Sequence, residues 1–519
     1  MAIAGSFYEW VQRPATHKIY LVDFNMVRKA PITGTPETVP FTYATEYFTP
    51  PPGTVTEYDS VLRGIPSYSR RIQETFSGQS FPSYGPMLLF NDRGTLDVPF
   101  INNLTKDQTI TLRLGGPPDE ITYATFGTVL TGIMGPQVLR DAEVEVPVFD
   151  DQRRLRRKTP TTVLSASTYG VNFPSGSEGK LAPLLYGEIH NFQPIQVNTT
   201  TLQYVVAGHP CNQVGTVYDN GVNITLNATI NLNDAQGFTS FTLGARPAGL
   251  VTCDVRGRST QAGTYTDRLG GVIEALLRQE AQLSNNKISA APLATFKSDM
   301  NVPVGIAVTE PTEILGVIDE LIAGLIVFYG MSREGTFQIS KFKDPSSGPA
   351  KLGLTFAGDV EVGEPFEVQF SEPRWRVQLG YDVNETIQDD NSVAGSITEP
   401  RRSWLSQPFR SVVASDSTVK DLHNYAEEED LIVTRLLRQA DATTAASDRL
   451  TLLKAQRKLA SAPFGVQPMM VDLNDIVDFS RSRYQLSGYW RVVGLKEEYI
   501  RNRIELELLT VTLSTISVH

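Results

Sequence analysis

Cysteine and histidine are the side chains best suited to metal binding and nucleophilic chemistry, and this sequence has few of either. Its two cysteines, Cys211 and Cys253, are too few for a four-thiolate zinc or iron–sulfur site. A disulfide between them is compatible with the sequence, although two buried free thiols are the favoured interpretation. No two of the five histidines stand four residues apart, so a zinc-protease motif is absent: they are His17, His190, His209, His423 and His519.

Motifs for phosphate, calcium and nucleophilic chemistry are incomplete. The glycine pairs at 115–116 and 270–271 do not extend into a phosphate-binding loop, which predicts ordinary turn and helix-entry glycines. Residues 231–237 offer several oxygen ligands but lack the carboxylate that closes a calcium loop, which favours a polar turn. His190 and His209 lie in β-patterned segments and are interpreted as satisfied polar residues. We therefore predict no catalytic, cofactor-binding or metal-binding residue.

The strongest charge feature is a run of five basic residues around Leu155, called here the basic segment: Arg153, Arg154, Arg156, Arg157 and Lys158. One interpretation is a solvated linker at a domain boundary. An equally weighted one is an electrostatic contact with an acidic neighbouring subunit, which makes these five residues a candidate subunit interface. Nucleic-acid binding is a weaker third choice because the run is isolated. The acidic run at residues 427–430 is predicted to begin a helix and to face solvent, unless it meets the basic segment of a neighbour.

Length and composition indicate a large acidic chain of several domains. At roughly 150 residues per domain, 519 residues predict three or four domains. The net charge of −11 argues against gripping duplex DNA through its phosphates. The N-terminal residues 1–14 lack the basic and apolar regions of a signal peptide. The apolar stretch at 321–331 is shorter than the ~20 residues of a membrane-spanning helix. We expect synthesis in the cytoplasm and no membrane span.

Period-two alternation predicts strands over most of the chain. An N-terminal block (1–160) contains strands at 18–24 and 40–45 that form an extended hairpin, and it ends at the basic segment. In a second β block (161–265), Asn220-Gly221 between alternating runs predicts a type I′ hairpin.

The remaining two blocks combine strands with predicted helices. A small α/β block (266–350) has helical periodicity at 266–283 and 310–329. The last block (351–519) combines strands with two predicted helices at 419–439 and 443–462.

Several short motifs occur in the order found in one family. The chain resembles tail-tip and baseplate hub proteins of long-tailed bacteriophages and gene transfer agents from about residue 17 to 511, and the motifs that carry the resemblance are Ser83–Asp97, Ala182–Ile189, Tyr218–Val222, Cys253–Gly257, Pro303–Ile306, Gly335–Phe337, Trp375–Val377, Asn474–Val477 and Trp490–Gly494. Each motif consists mainly of turn residues and strand hydrophobics, so their order carries the resemblance.

The resemblance implies a structural virion protein at the tail tip rather than an enzyme. Its fold would be mainly β with α+β insertions, with two tail-tube-like β-barrel domains flanking a β domain and a small α/β domain. Three copies would form a pseudo-sixfold ring, because each chain presents two similar docking surfaces. The ring would join the tail tube and distal tail proteins to the central fibre or spike, the receptor-binding proteins and the tape measure protein. DNA would pass through its lumen without sequence-specific binding, and no cofactor is implied.

Two other classes of function stay open at this point. One is a receptor-binding or adhesin tail protein that presents a loop such as residues 31–39. The other is a carbohydrate-active enzyme of the cell envelope. The lack of any nucleophile, metal or phosphate motif favours the tail hub over the enzyme.

Overall fold

Alternating apolar and polar side chains place most of this chain in strands, because one face of each strand can then be buried. The predicted mainly β, multidomain class is confirmed. The computed structural model describes residues 4–13, 16–28, 36–53, 57–73, 76–343, 349–355, 366–423, 426–481, 486 and 488–510. In these ranges, every helix is too short or too polar to cross a lipid bilayer.

The N-terminal part forms two antiparallel sheets. Its elements are α1 (Phe7–Val11), β1 (Ile19–Arg28), β2 (Glu37–Ala44), β3 (Leu62–Gly64), β4 (Tyr68–Arg71), β5 (Gly78–Gln79), β6 (Ser83–Tyr84), β7 (Met87–Phe90), α2 (Asp97–Asn102), β8 (Asn103–Leu104), β9 (Thr109–Gly115), β10 (Gly127–Met134), β11 (Val138–Leu139), β12 (Glu143–Val146), β13 (Val148–Phe149) and β14 (Lys158–Thr159). One sheet has the order β13-β10-β9-β1-β2, with β8 also paired to β1, and the other has the order β11-β12-β7-β3.

Strands β1 and β2 form the predicted extended hairpin. They pair antiparallel from Leu21 opposite Ala44 to Arg28 opposite Glu37. The connector predicted at residues 31–39 falls partly outside the described residues, because 31–35 are not described and 37–39 already belong to β2. That connector was the loop proposed for an adhesin.

The second part is a pair of antiparallel sheets. Its elements are α3 (Ala166–Tyr169), β15 (Leu184–Phe192), β16 (Ile195–Asn198), β17 (Gln203–Ala207), β18 (Cys211–Asp219), β19 (Val222–Asn223), β20 (Ala228–Asn231), β21 (Thr239–Leu243) and β22 (Val251–Arg258). The predicted type I′ hairpin is confirmed, because Asn220 and Gly221 join β18 to β19 with φ of 46° and 83°.

The third part packs helices against short strands. Its elements are α4 (Leu269–Gln279), α5 (Ala290–Asp299), β23 (Gly305–Val308), β24 (Thr312–Glu313), α6 (Ile314–Ile322), β25 (Val327–Met331) and β26 (Phe337–Lys341). Strand β23 pairs with β15 of the second part, and β25 pairs in parallel with β5 of the N-terminal part. The sheets therefore tie this part to both of its predecessors.

The fourth part contains the largest sheet. Its elements are β27 (Leu352–Thr355), β28 (Glu367–Phe370), β29 (Arg374–Tyr381), α7 (Arg401–Leu405), β30 (Arg410–Ser415), α8 (Ser417–Leu422), β31 (Glu427–Glu428), β32 (Ile432–Val433), α9 (Gln439–Leu453), β33 (Lys458–Phe464), β34 (Ile476–Ser480), β35 (Tyr489–Glu498) and β36 (Arg503–Thr510). The large sheet has the order β27-β34-β35-β36-β33-β28, and β29 pairs with β30, β31 and β32 in a smaller one.

The two ends of the chain share one hydrophobic core. Strand β4 from the N-terminal part pairs antiparallel with β35 near the C-terminus. The core beneath this pairing joins Leu89 and Ile110 to Phe464, Trp490 and Leu506, all nearly inaccessible to solvent. The first and last parts of the chain therefore form one continuous β body.

The predicted closed barrels are absent from the described residues, whose sheets are open. In the N-terminal sheet, β2 does not meet β13. Its outer edge is contacted instead by the following loop, where the Ala44 N–H donates to the Asp59 carbonyl at 2.8 Å. In the C-terminal part, β35 pairs along one edge with β36, and its other edge pairs first with β34 and then with β4. The outer strands of this sheet, β27 and β28, do not pair with each other.

Three predicted helices are wrong in extent. The 310–329 stretch is helical only in α6 and then enters β25. The 419–439 stretch contains the short strands β31 and β32, which add to β29 in parallel. The 443–462 stretch begins inside α9 and ends inside β33, where strong helix formers are held between β28 and β36. Tertiary pairing overrides helix propensity at these positions.

Candidate functional site

The backbone of the basic segment is anchored on the first turn of α6. The Leu315 N–H donates to the Leu155 carbonyl, and the Ile314 N–H donates to the Arg157 carbonyl, both at 3.1 Å. Strand β14 pairs with β24, which places Lys158 opposite Glu313. Two carbonyls thereby satisfy helix N–H groups that would otherwise lack partners. The segment is held in place and is not a loose linker.

The side chains of the basic segment divide into one buried anchor and five exposed cations. Leu155 is 1% exposed and belongs to the core around α4 and α6. Arg153 forms an ion pair with Asp107. Burial raises the pKa of Asp150, and the positive charge of nearby Arg156 opposes that rise. Among the described residues, no carboxylate lies within ion-pair distance of Arg154, Arg157 or Lys158: all three charges face solvent.

Within residues 427–430, Glu427–Glu428 form the short strand β31, and the predicted helix there is wrong. Glu428 pairs with Arg376 at 2.6 Å on the neighbouring strand β29. Glu429 forms a nearly inaccessible ion pair with Arg449 of α9, so the charged run is not uniformly solvated as predicted. Glu427 and Asp430 remain exposed. Pairing with β29 gives this segment the alternation of a strand, which turns successive side chains to opposite faces.

The basic segment and the chain that follows this acidic run contact opposite ends of α6. The basic segment contacts Ile314 and Leu315 at the beginning of the helix. Gly324, just past its end, lies against Ile432, because a Cβ built on Gly324 would stand 3.2 Å from the Ile432 side chain. Nine residues of helix separate the two contacts, about 13 Å. The structure therefore does not bring the two predicted charge clusters together within one chain.

The histidines highlighted by the sequence are satisfied by partners within the fold. His190 on β15 contacts Asp382 at 3.0 Å and Glu188 at 3.8 Å. The bonds to these carboxylates raise the pKa of His190 to about 10. His209 accepts a hydrogen bond from the Leu185 N–H at 3.0 Å, and burial lowers its pKa to about 4. One ring is thus charged and the other neutral near pH 7.

The 384–408 segment docks on the second part of the chain beside His190. The Asn191 side-chain amide donates to Asn384 at 2.7 Å, and Trp404 packs edge-on against His190 with ring centroids 6.4 Å apart. Leu405 lies close to the hairpin glycine Gly221. This contact couples the second and fourth parts and was not predicted, because it joins residues about two hundred positions apart.

The cysteines are free, as favoured from the sequence, and both are buried. Burial raises the pKa of Cys211 to about 12 and raises that of Cys253 well above its ordinary value. Both thiols therefore stay protonated and unreactive near neutral pH. In the described part of the chain, no group of three or more metal-ligating side chains is placed to hold a metal ion.

The 231–237 segment is a polar turn whose oxygen atoms serve the chain itself. The Asp234 carboxylate accepts hydrogen bonds from the N–H groups of Gln236 and Phe238, both at 3.0 Å. It also accepts one from the Ser240 hydroxyl at 2.8 Å. Both oxygens of the Asp234 carboxylate therefore accept hydrogen bonds from the chain itself, as expected of a polar turn.

A buried set of ion pairs, missed by the sequence analysis, lies where the two ends of the chain meet. Arg333 contacts Glu497 at 2.9 Å, and Arg70 contacts Asp472 at 3.6 Å. Tyr499 donates a 2.5 Å hydrogen bond to Glu497. Burial raises the pKa of Glu497, and Arg333 opposes that shift. No sequence signal could reveal these pairs, since most partners are more than a hundred residues apart.

A cleft of about 1120 Å³ opens beside the acidic run. Its lining mixes apolar and charged side chains, among them Phe370, Leu422, His423, Glu427 and Arg374. Phe370 and Leu422 are 53% and 75% exposed. Both belong to the large apolar side chains that the described residues leave exposed to solvent.

Comparison with solved structures finds low-identity matches to phage-related particles. The chain is similar to solved tail proteins. The 43 kDa tail protein of prophage MuSo2 from Shewanella oneidensis has 10% identity and a TM-score of 0.39, and the match covers 94% of this chain and 98% of that one. The tail protein from Neisseria meningitidis MC58 has 8% identity and a TM-score of 0.39, covering 86% and 91%.

A further match is to a chain of the virion of a native gene transfer agent particle. It has 15% identity and a TM-score of 0.44, and it covers 69% of this chain and 91% of that one. No protein-family model matches the sequence. No curated protein matches it either.

Proposed function

We propose that this protein is a structural component of a virion tail, acting as the hub of the tail tip or baseplate. Three copies form a ring that joins the tail tube and distal tail proteins to the central fibre or spike, the receptor-binding proteins and the tape measure protein. The protein is not an enzyme in this proposal. Its two docking surfaces come from the β sheets of the N-terminal and C-terminal parts of the chain.

The observation that carries this proposal is the single β body formed by the two ends of the chain. Pairing of β4 with β35 holds the N-terminal and C-terminal sheets side by side over one core. A subunit built this way can present two β surfaces in a fixed relation to each other. Three such subunits can match a sixfold tube, because each supplies two docking surfaces.

The order of the sequence motifs supports the same proposal. The motif at 83–97 forms β6, β7 and the turn before α2, and the motif at 490–494 lies in β35. Both motifs therefore contribute to the β body at the two ends of the chain. Their positions are compatible with the tail-hub family that the sequence resembles.

The net charge is suited to DNA passage through the ring. The whole chain carries −11 although the basic segment contributes five positive charges, so the remainder is more acidic still. An acidic surface repels phosphates over roughly the 8 Å Debye length of physiological salt. We propose that DNA slides through the lumen without being bound.

Imaging of assembled particles, together with light scattering of the purified protein, tests this function. We expect a ring of three copies at the tail tip and a trimeric mass at high protein concentration. A monomer inside assembled particles, or a ring without threefold symmetry, would refute the hub. Cleavage of cell-wall polysaccharide by the purified protein would refute the non-enzymatic role.

A further inference from the structure

We propose that the basic segment of one copy docks on an acidic patch of the next copy, so that each subunit contacts its neighbour head to tail. The acidic patch consists of Asp421, Leu422, Glu427, Asp430 and Leu431. This inference rests on the proposed ring, and it assigns the partner of the basic segment within that ring.

The basic segment is built to present charge to another molecule. Its backbone is held by two hydrogen bonds to α6, and Leu155 anchors it in the core. Arg154, Arg157 and Lys158 stay exposed, without an ion-pair partner among the described residues. Because the backbone is already held in place, binding a partner costs little backbone conformational freedom, which favours association.

The acidic patch offers complementary charge on an equally anchored backbone. The buried pair between Glu429 and Arg449 fixes the middle of the run. Glu427 and Asp430 point outward, and the described residues place no cation within ion-pair distance of either. Leu422 and Leu431, 75% and 43% exposed, supply apolar area beside these charges. A surface of this composition is suited to a cationic protein partner.

Within one copy, the described residues form no ion pair between the basic segment and the acidic patch. The basic segment sits on the first turn of α6, whereas the chain beside the acidic patch packs just beyond its last turn. The nine residues of α6 span about 13 Å between those two places. Two complementary surfaces at different places on one subunit make a heterologous contact, and such contacts generate closed rings when the rotation closes. The second copy is therefore the occupant that the charges favour.

Charge reversal of the unpaired residues is the direct test. The basic variant carries Arg154→Glu, Arg157→Glu and Lys158→Glu, which leaves Arg153 and Arg156 with their own partners. The acidic variant carries Glu427→Lys and Asp430→Lys, which leaves the two internal ion pairs intact. Assembly is followed by light scattering over a dilution series. We expect each variant to need at least about tenfold more protein to assemble.

The combined variant and a matched control decide the outcome. Combining both reversals restores the complementarity, so assembly should return to within a few-fold of the wild type. The control carries the same three-residue reversal at the exposed sites Arg93, Lys180 and Arg246 and should assemble normally. Normal assembly of both the basic variant and the acidic variant would overturn this contact and leave the hub intact. A wild-type protein that forms no ring in particles would instead refute the hub.

A cross-linking measurement tests the same contact if the charge-reversal variants fold poorly. Arg157→Cys and Asp430→Cys are introduced into separate proteins and the two are mixed with a short bismaleimide. The native cysteines are buried and should not react. A cross-link between the two proteins supports the contact, and its absence within assembled rings overturns it.

Discussion

Replacing His190 with glutamine is expected to loosen the contact between β15 and the 384–408 segment. The His190 ring lies 3.0 Å from Asp382 and beside Glu188, and its side chain is 30% exposed. Charged histidine therefore links the second part of the chain to the beginning of the docked segment. Glutamine keeps the size and one donor but removes the positive charge.

The pH dependence of this contact follows from the direction of the pKa shift. The folded pKa of His190 is raised from 6.5 to about 10 by its carboxylate partners. Its stabilisation is therefore complete below pH 6.5 and is lost as the pH rises through 10. The shift corresponds to an upper limit of about 5 kcal/mol. Solvent screening at a partly exposed ring lowers this, and we expect about 2 kcal/mol.

Hydrogen exchange measured by mass spectrometry over the 384–408 segment tests this value. At pH 6 the His190→Gln variant should exchange about thirtyfold faster than the wild type. The difference should shrink at pH 9. His17→Gln is the matched control, because His17 and its partner Glu46 are both about half exposed. Equal exchange of the variant and the wild type at pH 6, or a difference that persists unchanged at pH 9, would refute the reasoning.

Two further predictions concern buried features. Glu497→Gln removes the carboxylate charge that contacts buried Arg333 and should cost about 3 kcal/mol, seen as a lower melting temperature. The exposed control Glu37→Gln should cost under about 0.5 kcal/mol, and equal losses would contradict the prediction. Gly221→Ala forces a side chain to φ of 83° and should cost about 1–2 kcal/mol. Gly353→Ala has open space and should be neutral; a similar loss there would disprove the turn argument.

Local patterns predicted the strands and the hairpin because their causes are local. In β36, Ile504, Leu506 and Leu508 alternate with glutamates, and all three apolar side chains are buried. The Asn220-Gly221 turn needs only two adjacent residues that tolerate positive φ. Helix α4 likewise follows from apolar residues spaced along one helical face.

The same local reasoning failed where distant strands compete for a segment. Residues 458–464 contain good helix formers, yet β28 and β36 pair with them from both sides. The acidic run at 427–430 was predicted to begin a helix and instead adds to β29. A strand that completes a sheet gains hydrogen bonds and burial that a local propensity of a few tenths of a kcal/mol cannot outweigh.

The sequence by itself determined that this is an acidic, strand-rich chain with five clustered cations, two isolated thiols and no recognisable catalytic motif. Only the tertiary structure decided which charges are internally paired. It buries Arg333 against Glu497 and leaves Arg157 and Asp430 exposed. The reason is that alternation and spacing depend on neighbours in the chain, whereas the pairing of a charge depends on which distant segments the fold packs beside it.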